Sequence, residues 1–256
     1  MGMKPPELKE FLDAKVLEYN HPRFIASDPI QVPHSFSRKE DIEVSGFLTA
    51  TIAWGNRKSI IRNAFKMMAC LDNDPFHFVM HHKASDLKKI QPFVHRTFND
   101  VDLLCFIKGL RHLYQEYGGL ESIFTANAVT ASLQPAISAL KQHFFEIPHP
   151  TRSTKHISDP SRGSAAKRIN MFLRWMVRKD RTGVDFGIWN GIAPNQLSCP
   201  LDIHSGRIAR QLGLLHRRQN DAKALLELDL ALRLLDPVDP VKYDYALFGL
   251  GAFEKF

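Results

Sequence analysis

An all-α fold is expected for this chain of 256 residues, on three observations. Apolar residues recur at the three-to-four-residue spacing of helices along most of its length. Val, Ile and Thr seldom alternate with polar residues as they do in strands. Ser, Asp or Asn precedes several of the periodic runs, where a side-chain oxygen accepts from the free N–H groups of a first turn, and Gly or Pro closes them.

Residues 6–20 form the first helix, stopped at His21-Pro22 because proline drives the residue before it out of the helical region. Ser37-Arg-Lys-Glu40 has the spacing of a capping box for a buried helix through Phe47, Leu48 and Ile52, ending near Gly55. Asn56 caps a helix from Arg57 to Leu71, and Asp74-Pro75 starts a short one through Phe78 and Met80. A helix from Asp100 to Tyr117 is closed by Gly118-Gly119. Another runs from Val129 to Phe145, with Pro135 marking either a kink or its true first turn. Residues 146–163, rich in Pro, Ser, His and basic residues, form the one long irregular segment, of a length that often carries function. Ser164 to Lys179, Asp202 to Leu212, Asp221 to Leu235 and Pro240 to Phe256 complete about ten helices.

Lys+Arg number 34 against 27 Asp+Glu, a net charge of +7, which favours a polyanionic partner. The excess gathers in Arg162–Arg181 and Arg207–Arg218. The three cysteines Cys70, Cys105 and Cys199 are widely spaced and odd in number, which fits a reducing cytoplasm and not a disulfide framework. No basic-then-apolar leader and no apolar run of about 18 residues is read, so a cytoplasmic protein without membrane partners is expected. His77 and His81 share a helical face but lack the intervening Glu of a zinc protease, and no convergent Cys/His set completes a site. No metal and no organic cofactor is expected, and no Walker or Rossmann glycine pattern supports nucleotide-driven or redox chemistry.

Two helix starts carry the chemistry. One is Gly163-Ser-Ala-Ala-Lys167-Arg168, the other Pro200-Leu-Asp202-Ile-His204-Ser-Gly-Arg207. A lysine amine and a carboxylate aimed at one cleft suffice to attack a sugar anomeric carbon through a Schiff base. A position at a helix N-terminus beside Arg162 and Arg168 favours the neutral, nucleophilic amine. Asp202 serves equally as a helix cap and as the carboxylate that takes the lysine proton and stabilises a sugar cation.

Both stretches resemble the helix-hairpin-helix DNA glycosylase superfamily, in which a Gly-rich hairpin leads into the nucleophile helix and an Asp-x-His-x-x-Arg helix carries the essential aspartate. Phe172-Leu-Arg174 falls as it does in the archaeal and thermophile 8-oxoguanine glycosylases. Over its whole length the chain looks most like a bacterial family of unassigned function marked by Phe172-Leu-Arg-Trp-Met-Val-Arg-Lys-Asp180 and Pro200-Leu-Asp-x-His204. Ala165 stands where the hairpin has its second glycine, Lys167 and Asp202 lie 35 residues apart where relatives have a short link, and the four-cysteine iron–sulfur loop of endonuclease-III-type relatives is absent.

The resemblance implies a six-helix subdomain over residues 44–196, with residues 1–43 returning to pack against 197–256 around an interdomain cleft. It implies a monomeric base-excision N-glycosylase, with or without abasic-site lyase activity, whose nucleophile is Lys167 and whose aspartate is Asp202. Lys167 and Asp202 are then expected to face one cleft, and Asp180–Leu197 to be an excursion from it. Asn56, Arg162, Gly163, Ser164, Arg168, Arg207 and Arg210 are the candidate nucleic-acid contacts, the backbone N–H groups of residues 163–166 cradling a phosphate. The partner is DNA, with RNA also compatible. Two rival readings are a noncatalytic helix-hairpin-helix binder of DNA or RNA, and a metal-dependent hydrolase built on His95, Asp202 and His204.

Overall fold

The elements begin and end where apolar periodicity meets a cap, a proline or a left-handed glycine. The computed structural model describes residues 4–90 and 92–254. Among them α1 (Pro5–Tyr19), α2 (Lys39–Thr51), α3 (Arg57–Cys70), α4 (Pro75–His81) and α5 (Ala84–Leu87) precede a two-residue antiparallel hairpin, β1 (Val94–His95) with β2 (Phe98–Asn99). Then come α6 (Asp100–Tyr117), α7 (Leu120–Asn127), α8 (Gln134–Phe144), α9 (Lys167–Val177), α10 (Ile203–Gln211), α11 (Ala222–Leu235) and α12 (Tyr243–Gly249), the last running into a wider turn at Leu250–Glu254. The fold is all-α apart from the hairpin.

Asn56, Asn99, Asp202 and Asp221 each accept a backbone N–H of the helix they precede. Gly118, at φ +73°, closes α6 in the left-handed conformation that glycine adopts without strain. Pro135 stands in the first turn of α8, so it starts that helix instead of kinking it. The box at Ser37 is not formed. Arg38 occupies the capping position without a side-chain bond, and its Nε pairs at 2.9 Å with the Glu40 carboxylate that the box would have used. α2 ends at Thr51, ahead of Gly55. The helix α7 escaped the sequence reading, which left residues 120–127 without an element. Lys255 and Phe256, at the end of the last expected helix, lie outside the described residues.

The apolar side chains form two clusters. The larger joins α2, α3, α6, α7, α8 and α9, and takes in Phe24, Ile30, Val32 and Ile42 from ahead of residue 44. The smaller gathers Leu8, Leu12 and Val16 of α1 with Leu201, Ile208, Leu225, Leu228 and Leu247 from α10, α11, α12 and the loop before α10.

Residues 180–197 line neither cavity that holds Lys167 and Asp202, and they return to the core. Val184, Trp189, Ile192 and Leu197 are buried in the larger cluster. Trp189 packs edge-on against Phe172, and its Nε1 donates to the buried Glu43 at 2.7 Å. Burial of the Val184, Trp189, Ile192 and Leu197 side chains favours the return of this segment to the core, and the ion pairs of Asp185 offset the cost of burying its carboxylate. Asp185 receives Arg174 Nε at 3.2 Å and Arg178 Nη1 at 3.1 Å, while Arg174 Nη1 also reaches Asp244 on α12 at 2.5 Å and Arg178 Nε reaches Asp239 at 3.0 Å. All four members Arg174, Arg178, Asp185 and Asp244 are buried. Two arginines of the supposed polyanion-facing cluster are thus structural ion pairs tying α9 to the segments on either side of the joint.

Candidate active site

Lys167 is the first residue of α9, and the chain reaches it through Ala166, which is left-handed at φ +44°. Such a backbone costs an alanine on the order of 1–2 kcal/mol, offset here by burial of its methyl and by Asn170, whose Nδ2 donates to Ala165 O at 2.9 Å. The tight approach also consumes donors. Gly163 N–H goes to Pro160 O at 2.9 Å, Ser164 N–H to Asp159 O at 3.3 Å and Ala166 N–H to Ser164 Oγ at 3.1 Å. Three of the four N–H groups expected to cradle a phosphate at residues 163–166 are therefore already engaged within the chain. Nor does a short hairpin precede α9: residues 145–166 separate it from α8 and contain only the 3-10 turns Thr151–His156 and Pro160–Arg162.

The two residues singled out by the sequence meet. Lys167 Nζ lies 3.3 Å from Asp202 Oδ2. The two carboxylate oxygens of Asp202 divide the work. Oδ1 caps α10, accepting His204 N–H at 2.8 Å and Ser205 N–H at 2.9 Å, and Oδ2 faces the amine. Burial by itself would raise the Asp202 carboxyl, but the Lys167 charge and the Ser205 N–H outweigh it and hold the group below the usual carboxylate range. Asp202 is the stable anion of the pair.

Around this contact is a cleft of about 640 Å³ at the meeting of the two clusters, walled by Trp54, Arg57, Ser164, Arg168, Asn220 and Phe248. Arg57 stacks over Phe248 at 4.8 Å, and Arg168 over Trp54 at 4.8 Å. Beneath the pair is a recess of about 40 Å³ between Phe24, Asp28, Met171, Asp244, Tyr245 and Phe248. Its two carboxylates are buried. Burial raises Asp28 despite its bond from Ile30 N–H and the charges of Arg57 and Arg174. Burial likewise pushes Asp244 up to about 6, with Arg174 opposing the shift and the charge of Asp202 adding to it. A larger groove of about 900 Å³ lies apart, against α8, and holds Arg162 and Lys141 but neither member of the pair. The smaller cleft, where an amine and a carboxylate converge, is the chemical candidate.

The remaining expected contacts distribute unevenly. Arg168 is turned inward, donating to Thr51 O and, at 3.1 Å, to His156 O, so it braces the wall instead of reaching outward. Burial lowers it to about 10. Asn56 spends its Oδ1 on Ser59 N–H at 3.2 Å, beside the cleft wall at Gly55 and Arg57. Arg207 and Arg210 line a neighbouring groove. Trp175 and Trp189 are core, leaving Trp54 and Phe248 as the aromatic faces in the cleft. His95 is occupied by Asn63 at 2.9 Å and by Trp54 O at 3.3 Å, and His204 contacts Gly251 O at 3.2 Å, so neither joins Asp202 as a ligand. No group of three or more His, Cys, Asp and Glu comes together among the described residues.

Asp28, Arg57, Asn220 and Asp244 were missed. Asp28-Pro29 carried a legible signal, an Asp-Pro start of a helical turn. Asp244, inside an apolar run, offered none beyond being an acid in a helix that reads as buried.

The fold and site together define an all-helical protein with a lysine–aspartate pair in a cationic cleft at the joint of two apolar clusters. Residues 28–253 match the family described as protein of unknown function (DUF2400), and the chain belongs to that family. No curated protein and no solved structure matches it. No helix among the described residues is long and apolar enough to cross a membrane.

Proposed function

We propose that this protein is a DNA base-excision N-glycosylase with abasic-site lyase chemistry, acting on a nucleotide extruded into the Lys167–Asp202 cleft. The observation that carries the reading is the 3.3 Å approach of Lys167 Nζ to Asp202 Oδ2 beside Arg57, Trp54 and Phe248. A base entering the cleft strips water from the ion pair. Loss of solvent disfavours both charges and moves the proton from the amine to the carboxylate. The neutral amine then attacks C1′ as the glycosidic electron pair leaves with the base, the departing base takes a proton from the attacking nitrogen, and protonated Asp202 gives its proton to O4′ as the C1′–O4′ bond opens, leaving a protonated imine on Lys167. The ring faces of Trp54 and Phe248 offer stacking for the extruded base. The recess of about 40 Å³ is far too small for a base, which would sit in the outer cleft with one edge toward Asp28 and Asp244.

One observation favours a second reading, a noncatalytic nucleic-acid binder. At rest the amine is engaged in an ion pair, as a lysine that serves only charge balance would be. Borohydride reduction in the presence of abasic-site DNA separates the two. Wild type is expected to form a covalent adduct, and Lys167→Ala to lose it while keeping most of its DNA affinity. Equal trapping by both proteins would remove Lys167 as nucleophile, and tight binding with neither trapping nor base release would favour the binder.

A further inference from the structure

Beneath the Lys167–Asp202 contact, the recess of about 40 Å³ opens into the cleft at the reacting groups themselves, because Asp28, Lys167, Met171, Asp202 and Phe248 line both cavities. It is too small for a sugar or a base. It is large enough for a water molecule, which needs at least about 10–15 Å³ and two to four polar partners. The carboxylates of Asp28 and Asp202 and the Lys167 amine, all in the lining, supply those partners.

The acids around the recess are not equivalent. Asp244 accepts Arg174 Nη1 on Oδ2 at 2.5 Å and Cys199 Sγ on Oδ1 at 3.7 Å. Asp202 gives Oδ1 to the α10 cap and Oδ2 to Lys167. Asp28 accepts Ile30 N–H on Oδ1 at 3.1 Å, and its Oδ2 makes no hydrogen bond or ion pair among the described residues. The residue is nevertheless only 8% exposed. A carboxylate oxygen withheld from bulk water and left without a protein partner is satisfied by what enters the cavity it lines. The group is also anchored, since Pro29 and Ile30 of the turn it caps are buried. Burial raises its carboxyl, which makes the anion a stronger proton acceptor than one in solvent.

We propose that the recess holds the water that releases the sugar from Lys167, and that Asp28 is the general base for its attack. This rests on the reading of Lys167 as an imine-forming nucleophile. The water oxygen bonds to C1′ of the protonated imine as the C=N electron pair returns to nitrogen, and Asp28 Oδ2 takes the proton that the water sheds. The carbinolamine nitrogen then takes that proton from Asp28. The C1′–N bond breaks with its electron pair going to Lys167, the hydroxyl proton passes to Asp28 Oδ2, and the aldehyde leaves. Return of this last proton to the amine restores the ammonium and the Asp28 carboxylate.

The test uses the full chain, abasic-site DNA and borohydride. Condensation of the abasic aldehyde with Lys167 passes through the same carbinolamine in reverse, so a group that catalyses hydrolysis catalyses formation equally and leaves the equilibrium unmoved. Asp28→Asn keeps an oxygen for Ile30 N–H but sets an N–H₂ group where the proton acceptor stood. It is expected to slow the rise of the trappable adduct, and its decay after a chase with unlabelled abasic DNA, by one common factor of roughly 10². The adduct should still reach the wild-type level. Met171→Phe, which leaves every acid in place and fills the recess, should reproduce the paired slowing and serves if Asp28→Asn is unstable. Wild-type rise and decay in either folded variant would overturn the proposal and leave Lys167 as nucleophile. A lowered adduct level with unaltered decay would also overturn it, since that marks lost DNA binding or amine reactivity. Absence of any adduct with wild type would overturn it together with the lysine reading.

Discussion

Asp202 does two things with two oxygens, and a pair of substitutions separates them. Asp202→Asn retains an oxygen for His204 and Ser205 N–H, so the α10 cap survives, but it sets an amide N–H₂ against Lys167 where Oδ2 stood. Asp202→Ala removes both functions. The ion pair is partly screened, with side-chain exposures of 34% for Lys167 and 16% for Asp202, so its loss should cost on the order of 1 kcal/mol of stability. Loss of the cap adds about 1 kcal/mol. Asp202→Ala should therefore unfold about 2–4 °C below Asp202→Asn, by calorimetry. Base release behaves differently. Both variants lack the carboxylate that accepts the amine proton and faces the sugar cation, so both should fall by the same factor, roughly 10²–10⁴ in single-turnover rate. Equal melting temperatures for the two would show that Oδ1 does not cap α10 in solution. Base release retained by Asp202→Asn would refute the assignment of Oδ2 to chemistry, whatever the stabilities.

Arg178→Ala should behave as a core defect and not as a weakened phosphate contact, because it leaves Asp180, Asp185 and Asp239 without their shared cation. A loss of about 3–5 kcal/mol in urea unfolding is expected, and a normally stable variant with reduced DNA affinity would contradict the buried network. Asp244, raised by burial to about 6, is protonated more readily folded than unfolded. Its contribution to stability is therefore fully present below the ordinary carboxylate range and declines as pH rises toward about 6. Relative to Asp244→Asn, which does not titrate, wild type should lose on the order of 1–3 kcal/mol between pH 4 and 7; a pH-independent difference in unfolding free energy would exclude the shift.

Much of the helix order was legible because caps are local. Asn56, Asp202 and Gly118 each announce an end through their own side chain or lack of one, and each does so in the structure. Ser37 shows the limit of that logic, since Glu40 had a competing partner one residue away from the expected cap. Residues 120–127 were unreadable for another reason: the glycine pair that closes α6 also opens α7, so one punctuation mark served two helices. Gly109 is similar, a helix-weakening residue by propensity whose missing Cβ admits Phe144, to within 2.5 Å of where that atom would be. At the site, Lys167 and Asp202 were found from their positions at helix starts. Asp244 and Asn220 were not, because what places them is the joint between the clusters, and no spacing along the chain encodes it.

The charge of residues 162–181 is the clearest case of one composition serving two ends. On the sequence it is a single basic cluster. In the fold Arg174 and Arg178 point into the joint, where aspartates from the 180–185 segment and from α12 neutralise them, and Arg168 is spent on two backbone carbonyls. This explains why 35 residues separate Lys167 from Asp202. The intervening chain delivers Asp185 to both arginines and Trp189 to the core before returning to start α10, so the segment that lengthens the interval also fixes the helix carrying the lysine. The rotation of α9 about its axis, and with it the direction of Lys167 at its first turn, is set by ion pairs seven and eleven residues further along the same helix and its exit. The nucleic acid proposed for the cleft would meet the cations there that lie outside this network, Lys167 and Arg57.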